Sequence, residues 1–326
     1  MFQKTIVGNY PRPSWLRESL LKAEGKQKKA GLAGKEVESL YVRGIAEVIA
    51  EFESCNLDLI TDGQLRLTDA LASFCENLEG FKMTGLIRYY DNNFYYRQPE
   101  TTGKISWKNP VFEADFKQAK KLAKKKIKCV LPGPYTLARL CKNTFYKDTS
   151  DLMWDLSSAI ASEAKALENA GCKFIQFDEP SLVYDRKLEC GLDKIMDALK
   201  KVESSVSAIT CLQAYFGGFN GSLAGLLDLK FDVIGFDLVE GKENLNFMQE
   251  YTPKKDLSLG ILDSRNIRLE KPSVVKARVM QAVKLTSPKN VYINPNWGLE
   301  LIPREYAVKK LKLLSNIVDE LKEDSA

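Results

Sequence analysis

The sequence predicts an α/β fold, a (β/α)8 TIM barrel, as a single domain over residues 1–326 with a β-hairpin insert after the second unit. Three observations carry this. Apolar runs recur eight times, each ends in turn-forming or polar residues, and amphipathic helical patterns fill the intervals. Strands alternating with helices form parallel sheets through right-handed crossovers, and eight such units close into a barrel of about this length.

In chain order the runs are "TIVGNYP" (5–11), "LDLITDG" (57–63), "IKCVLPGP" (127–134), "KFIQFDEP" (173–180), "SAITCLQAYFGG" (207–218), "FDVIGFDLV" (231–239), "LSLGILDSR" (257–265) and "NVYINPNWG" (290–298). The helical pattern "ASEAKALENAG" (161–171) ends on a glycine suited to a C-cap before the fourth strand. A doubly wound open sheet would open on a Gly-rich phosphate loop, which "VGNYPRP" (7–13) is not. The segment 86–107, "LIRYYDNNFYYRQPETTGKISW", is aromatic and turn-rich and predicts the hairpin insert. The basic stretch "LLKAEGKQKKAG" (20–31) is expected to be a connection before the first helix proper.

Composition narrows the function. A hydrophobic content of 44% and a charged content of 28% are those of a soluble globular chain. No apolar run approaches the roughly 18 residues of a membrane span, and no signal peptide is evident, so no membrane partner is expected. Seven scattered cysteines without a C-x-x-C pair fit reduced core thiols and a cytoplasmic location. The lysines of "KQAKKLAKKKIK" (117–128) are expected to form the solvated face of a helix whose apolar stripe is Phe112, Phe116, Ala119, Leu122 and Ala123, so no nucleic-acid partner is expected. The chain has no histidine, which removes imidazole as a general base and as a metal ligand.

In a barrel of this kind the site lies at the C-terminal ends of the strands. Those ends carry Asn9 and Arg12; Gln64 and Arg66; Asp178 and Glu179; Asp237; Arg265; and Asn294. The adjacent acids Asp178 and Glu179 are candidate catalytic groups able to act as acid and base. The others are candidate substrate-binding residues for a small polar ligand. Arg12, Arg66 and Arg265 would favour an anionic ligand, or pair with Asp62, Asp237 and Asp263 in the same rim.

Several collinear motifs resemble the cobalamin-independent methionine synthase family. They are "TIVGNYPRP" (5–13), "ITDGQLRLTDALASFCENLEGF" (60–81), "LPGPYTLARL" (131–140) and "IQFDEPSL" (175–182). Further on, "AYFGGF" (214–219), "DVIGFDLVEG" (232–241) and "LSLGILDSRNIR" (257–268) look more like the family's N-terminal, zinc-free barrel. The beginning is similar to stand-alone archaeal-type members. The resemblance implies methyl transfer to homocysteine or a related small thiol, with a methyl-folate, a methyl-pterin or methylcobalamin as donor.

By the same resemblance, Asp178 holds the substrate amino group and Asn9 helps bind its carboxylate. Gln64 stands where the family carries a glutamate facing the amine. The family's zinc ligands are a His-x-Cys pair, a Glu and a Cys; here the nearest equivalents are Cys211 with Gln213, Asp237, and Asn296 or Trp297. That set argues against zinc, and no metal ligand is assigned. Two further readings stay open: a zinc-free or folate-binding partner of a separate zinc-bearing barrel, and a lyase or decarboxylase using Asp178 with Glu179.

Overall fold

The computed structural model describes residues 2–30, 33–67, 69 and 71–324, with backbone alone for 23–30 and 33. The strands are β1 (Phe2–Lys4), β2 (Leu59–Ile60), β3 (Glu79–Arg88), β4 (Tyr95–Ser106), β5 (Lys126–Ile127), β6 (Cys129–Pro132), β7 (Phe174–Asp178), β8 (Ile209–Gln213), β9 (Val233–Asp237), β10 (Asp256–Leu262) and β11 (Val291–Pro295). One seven-stranded sheet runs in the order β1-β11-β10-β9-β8-β7-β6, and every pair in it is parallel.

Strand β2 fills the remaining gap. It pairs in parallel with β5, which continues into β6 after Lys128, and meets the end of β1 at the Thr5–Leu59 bridge. The sheet thus curls into the expected (β/α)8 barrel, with helices between successive staves. Its closing seam is thin. Two register pairs hold β2 to β5, and one bridge holds it to β1, helped by the Asp58 N–H donating to the Lys4 carbonyl at 2.9 Å, the Lys4 N–H to Asp58 Oδ2 at 2.9 Å and Thr5 Oγ1 to the Leu59 carbonyl at 2.7 Å.

Alternation along the staves fills the interior in layers. The lower layer is apolar: Leu59, Phe174, Cys211, Val233 and Tyr292 form their own buried cluster. Two residues further along, the same faces carry Thr61, Gln176, Gln213 and Asn294, all buried. The barrel is therefore greasy at its base and polar toward its mouth.

The strands are shorter than the apolar runs that announce them. β1 ends at Lys4, and residues 6–11 leave the ladder, with the Tyr10 N–H donating to the Gly63 carbonyl at 3.0 Å. The stretch 20–30 belongs to a helix, Ser14–Ala30, rather than to a connection. Lysine, glutamate, glutamine and alanine are good helix formers, and without an apolar stripe their periodicity is silent. Gly31, which ends that stretch, and Thr68 and Ala70 of the second-strand motif lie outside the described residues. Within 117–128 most lysines are exposed or half-buried, but Lys128 turns inward and is 3% exposed, a departure from the expected solvated face.

The hairpin β3–β4 is antiparallel and begins at Glu79, seven residues before the expected insert. Its Tyr89 and Tyr96 are buried, and the Tyr89 ring stacks over Trp297 with centroids 6.1 Å apart. The chain leaves the hairpin under control of Glu163, which is fully buried on the helix Thr149–Asn169. The Glu163 carboxylate accepts from Trp107 Nε1 at 2.8 Å and from the backbone N–H groups of Val111 at 2.9 Å and Phe112 at 2.8 Å. Among the described residues all the cysteines are free, and no helix is long and apolar enough to cross a membrane.

Replacing Glu163 by leucine takes the acceptor from three donors on the half-buried residues Trp107, Val111 and Phe112, at about 1 kcal/mol each. Glu163→Leu is expected to lower the unfolding free energy by about 3 kcal/mol, read from urea denaturation with an unchanged m-value.

Candidate functional site

A cleft of about 660 Å3, part of it open to solvent, lies at the C-terminal ends of the staves. Asn9, Gln64 and Asp178 line it together, beneath a wall of Tyr89, Phe94, Tyr96, Tyr215 and Trp297. Gln64 sits there because its backbone is left-handed, with φ of 51°, following Gly63 at 73°. Such a conformation costs a non-glycine residue of order 1 kcal/mol, and the Asp62 carboxylate holds it by accepting from the Gln64 N–H at 2.9 Å. The Gln64 amide then lies over Gly8, where a Cβ would stand 2.5 Å from its Oε1.

Asp178 ends β7 and forms the polar floor. Its Oδ1 accepts from Gln176 Nε2 at 2.7 Å and its Oδ2 from the Tyr215 hydroxyl at 3.1 Å. Burial pushes its carboxyl up to about 7, and Gln176, Lys128 and Tyr215 oppose that rise. On the other flank Asn9 donates from Nδ2 to Glu300 Oε1 at 3.0 Å. Glu300 Oε2 is buried without a partner, and burial pushes this carboxyl up to about 7 as well.

The remaining candidates are held elsewhere. Glu179, expected either as a catalytic group beside Asp178 or behind it as an orienter or helix-terminal partner, turns away from the cleft. Its Oε1 accepts from the Tyr135 N–H at 2.9 Å and its Oε2 from the Thr136 N–H at 2.7 Å, at the start of the helix Pro134–Leu140. Gly133 is required for this, since a Cβ there would overlap the Glu179 carboxylate. Consecutive residues of a strand face opposite ways, which is why the two acids part. The acid–base pair of the lyase reading therefore does not meet in the cleft.

The arginines do not converge either. Arg66 pairs with Glu38 at 2.7 Å and with Asp115 at 2.8 Å, and Arg265 pairs with Glu240. Arg12 donates to the Leu65 and Leu67 carbonyls at 2.9 and 2.7 Å, in an outer groove that adjoins the cleft at Asn9 and Gln64. None of the three guanidinium groups forms an ion pair with the expected partners Asp62, Asp237 and Asp263, although the Arg265 backbone N–H donates to Asp263 Oδ1 at 2.9 Å. Asn294 is buried below the mouth, where it donates to Ser258 Oγ at 2.8 Å, and its Oδ1 has no partner.

Asp237 is fully buried and spoken for. Its Oδ1 accepts from the Val239 and Glu240 N–H groups at 2.8 and 2.9 Å. Its Oδ2 accepts from the Phe216 N–H at 3.0 Å and from Asn296 Nδ2 at 3.1 Å. Asn296 thus presents a donor where a zinc ligand would present a lone pair. The Cys211 thiol, pushed up to about 12 by burial, faces Gln213 Oε1 at 3.9 Å. Among the described residues no three His, Cys, Asp or Glu side chains cluster as a metal site, and this donor set does not fit a zinc ion.

Sequence reasoning missed Lys128, Gln176 and Glu300. The signal for Gln176 was present, because it lies two residues before Asp178 on the inward face of the same strand.

Two outcomes are expected. Asp237→Ala removes an acceptor from four donors and should lower stability by about 3–5 kcal/mol, whereas added zinc should leave the wild-type melting temperature unchanged. The second outcome concerns pH. Burial raises Asp178, Glu179 and Glu300 to about 7 in the folded chain, above their ordinary values. The folded state then keeps protons that the unfolded state has released, so their contribution to stability is full below the unfolded values and is lost as pH rises toward 7. Thermal melts should fall across that window, with a shallower slope for Glu300→Gln.

The comparisons with known proteins agree with this architecture. Residues 2–320 match the family model described as cobalamin-independent synthase, catalytic domain. A methionine synthase of Saccharolobus solfataricus is 31% identical over 312 residues, covering 94% of this chain and 91% of that one. One from Sulfolobus acidocaldarius is 32% identical over 318 residues, covering 94% and 88%. Among solved structures, a B12-independent methionine synthase from Shewanella sp. W3-18-1 in complex with selenomethionine superimposes with a TM-score of 0.85 at 20% identity, covering 99% of this chain and 98% of that one. A methyltransferase from Methanosarcina mazei superimposes with a TM-score of 0.61 at 17% identity over 86% of each chain. The chain belongs to the cobalamin-independent methionine synthase family.

Proposed function

We propose that this barrel binds an amino acid of the homocysteine–methionine type in the cleft and takes part in methyl transfer to homocysteine. The observation that carries the reading is Asp178, an acid at the cleft floor that accepts only from side chains, whereas the other lining acid, Asp69, is taken up by the Leu71, Ala72 and Arg97 N–H groups. Ionised, it meets the substrate ammonium in a charge-assisted bond, about twice as strong as a neutral one. Asn9 and Gln64 flank the remaining polar atoms, and the rings of Tyr89, Phe94 and Trp297 suit a sulfur-bearing side chain. Gln64 brings no charge to the ammonium, so Asp178 bears that interaction. The methyl donor falls in the class of methyl-folates, methyl-pterins and methylcobalamin.

A second reading is favoured by one observation, the closed hydrogen bonding of Asp237 with Asn296. A thiol is a nucleophile as its thiolate, and the described residues offer no metal site to hold it so. On this reading the barrel works beside a separate zinc-bearing barrel that supplies the thiolate. Methylation of homocysteine by the isolated chain is then weak or absent and rises when a zinc-bearing family member is added. Robust turnover by the isolated, metal-free chain would reject the partner reading.

For either reading, L-methionine is expected to bind and Asp178→Asn to weaken it at least about tenfold by isothermal calorimetry. An unchanged affinity in a folded Asp178→Asn variant would remove Asp178 from the site.

A further inference from the structure

Lys128 is an unusual occupant of a barrel interior. It is 3% exposed, and the Phe174 ring centroid lies 5.8 Å from its Nζ. Its hydrogen bond is donated to Gln176 Oε1 at 2.6 Å, and no carboxylate of the described residues lies within ion-pair range of it. A buried ammonium costs several kcal/mol unless compensated. The compensation lies one residue further along the chain of hydrogen bonds, at Asp178.

The direction of that chain is determined by chemistry. An ammonium only donates, so the Gln176 oxygen must face Lys128 and its amide nitrogen must face the other way. That nitrogen donates to Asp178 Oδ1 at 2.7 Å and to the Val7 carbonyl at 3.1 Å, while Tyr215 donates to Oδ2 at 3.1 Å. Every bond to Asp178 is one it accepts, as suits a carboxylate. We propose that Lys128 is a positioning residue for the cleft, its charge passed through the Gln176 amide to orient Asp178 and hold it ionised for a cationic ligand group.

The surroundings leave few competitors. Asp178 is faced by Lys128 and Gln176 from below, by Tyr215 at the end of β8, by Tyr89 from the hairpin and by its neighbour Glu179. Lys128 is also near Cys211 on β8. Burial pushes Cys211, Tyr89 and Tyr215 up, so they stay neutral near neutral pH. Burial likewise pushes Lys128 down to about 8, with Asp178 and Cys211 opposing the fall.

The consequence for ligands rests on the reading that Asp178 meets the substrate ammonium, but the relay can be tested without a ligand. The carboxyl carbon of Asp178 is followed by NMR in the 13C-aspartate-labelled full chain and assigned by its loss in Asp178→Asn. Lys128→Met is expected to raise the Asp178 titration midpoint by about one unit, a tenfold gain in proton affinity. Gln176→Met keeps both charges and cuts the relay, so a smaller rise is expected, and Lys128→Arg should restore the midpoint toward the wild-type value.

Lys128 acting only as packing would change the melting temperature and leave the midpoint alone, and an unchanged midpoint in a folded Lys128→Met variant overturns the proposal. If that variant fails to fold, Gln176→Met decides by the same criterion. L-methionine calorimetry separates the two readings. A shifted midpoint without L-methionine binding to the wild type keeps the relay and rejects the amino-acid site. Lost binding in Lys128→Met with an unchanged midpoint rejects the relay.

Discussion

The mouth of this barrel is built on one constraint: backbone N–H groups that leave the strand ladder must find acceptors, and carboxylates provide them. Asp69 accepts from Leu71, Ala72 and Arg97, Glu163 from Val111 and Phe112, Glu179 from Tyr135 and Thr136, and Asp237 from Phe216, Val239 and Glu240. A buried amide left unpaired costs about 1–3 kcal/mol, so these acids are fixed by the fold. Asp178 differs in kind, since the groups donating to it are side chains, Gln176 and Tyr215. That contrast, more than its position, separates an acid left facing the cleft from acids that fasten loops.

The same constraint explains what could be read from the sequence. The eight apolar runs locate the staves because burial on both faces demands them. Where each stave stops depends on which amide finds a side-chain acceptor, and no local pattern encodes a partner such as Asp237 for Phe216, 21 residues earlier. Asn9, Gln64 and Asp178 were legible as one group because strand ends converge in a closed barrel. Glu179 could be read from the sequence either as a catalytic partner of Asp178 or as a helix-terminal acceptor behind it, and only the direction of its side chain separates the two. Lys128 was hidden in a run of lysines whose other members face outward, and Glu300 lay just past the last apolar run.

The chain keeps the family's barrel without a histidine, and Asp237 and Asn296 are bonded to each other inside it. The aromatic wall from the hairpin and Trp297 shields the floor from water, which strengthens any electrostatic contact made there.

Asn9 and Gln64 stand on opposite banks of the thin seam where β2 meets β1. Strand-ladder pairs are few there and the fastening passes partly to the side chains of Thr5, Asp58 and Thr61, so local opening should begin along this line before the rest of the barrel loosens. A small molecule gripped by both residues acts as a clasp across it, tying occupancy of the cleft to closure of the cylinder. Whatever this barrel binds becomes, by mass action, a component of its own stability.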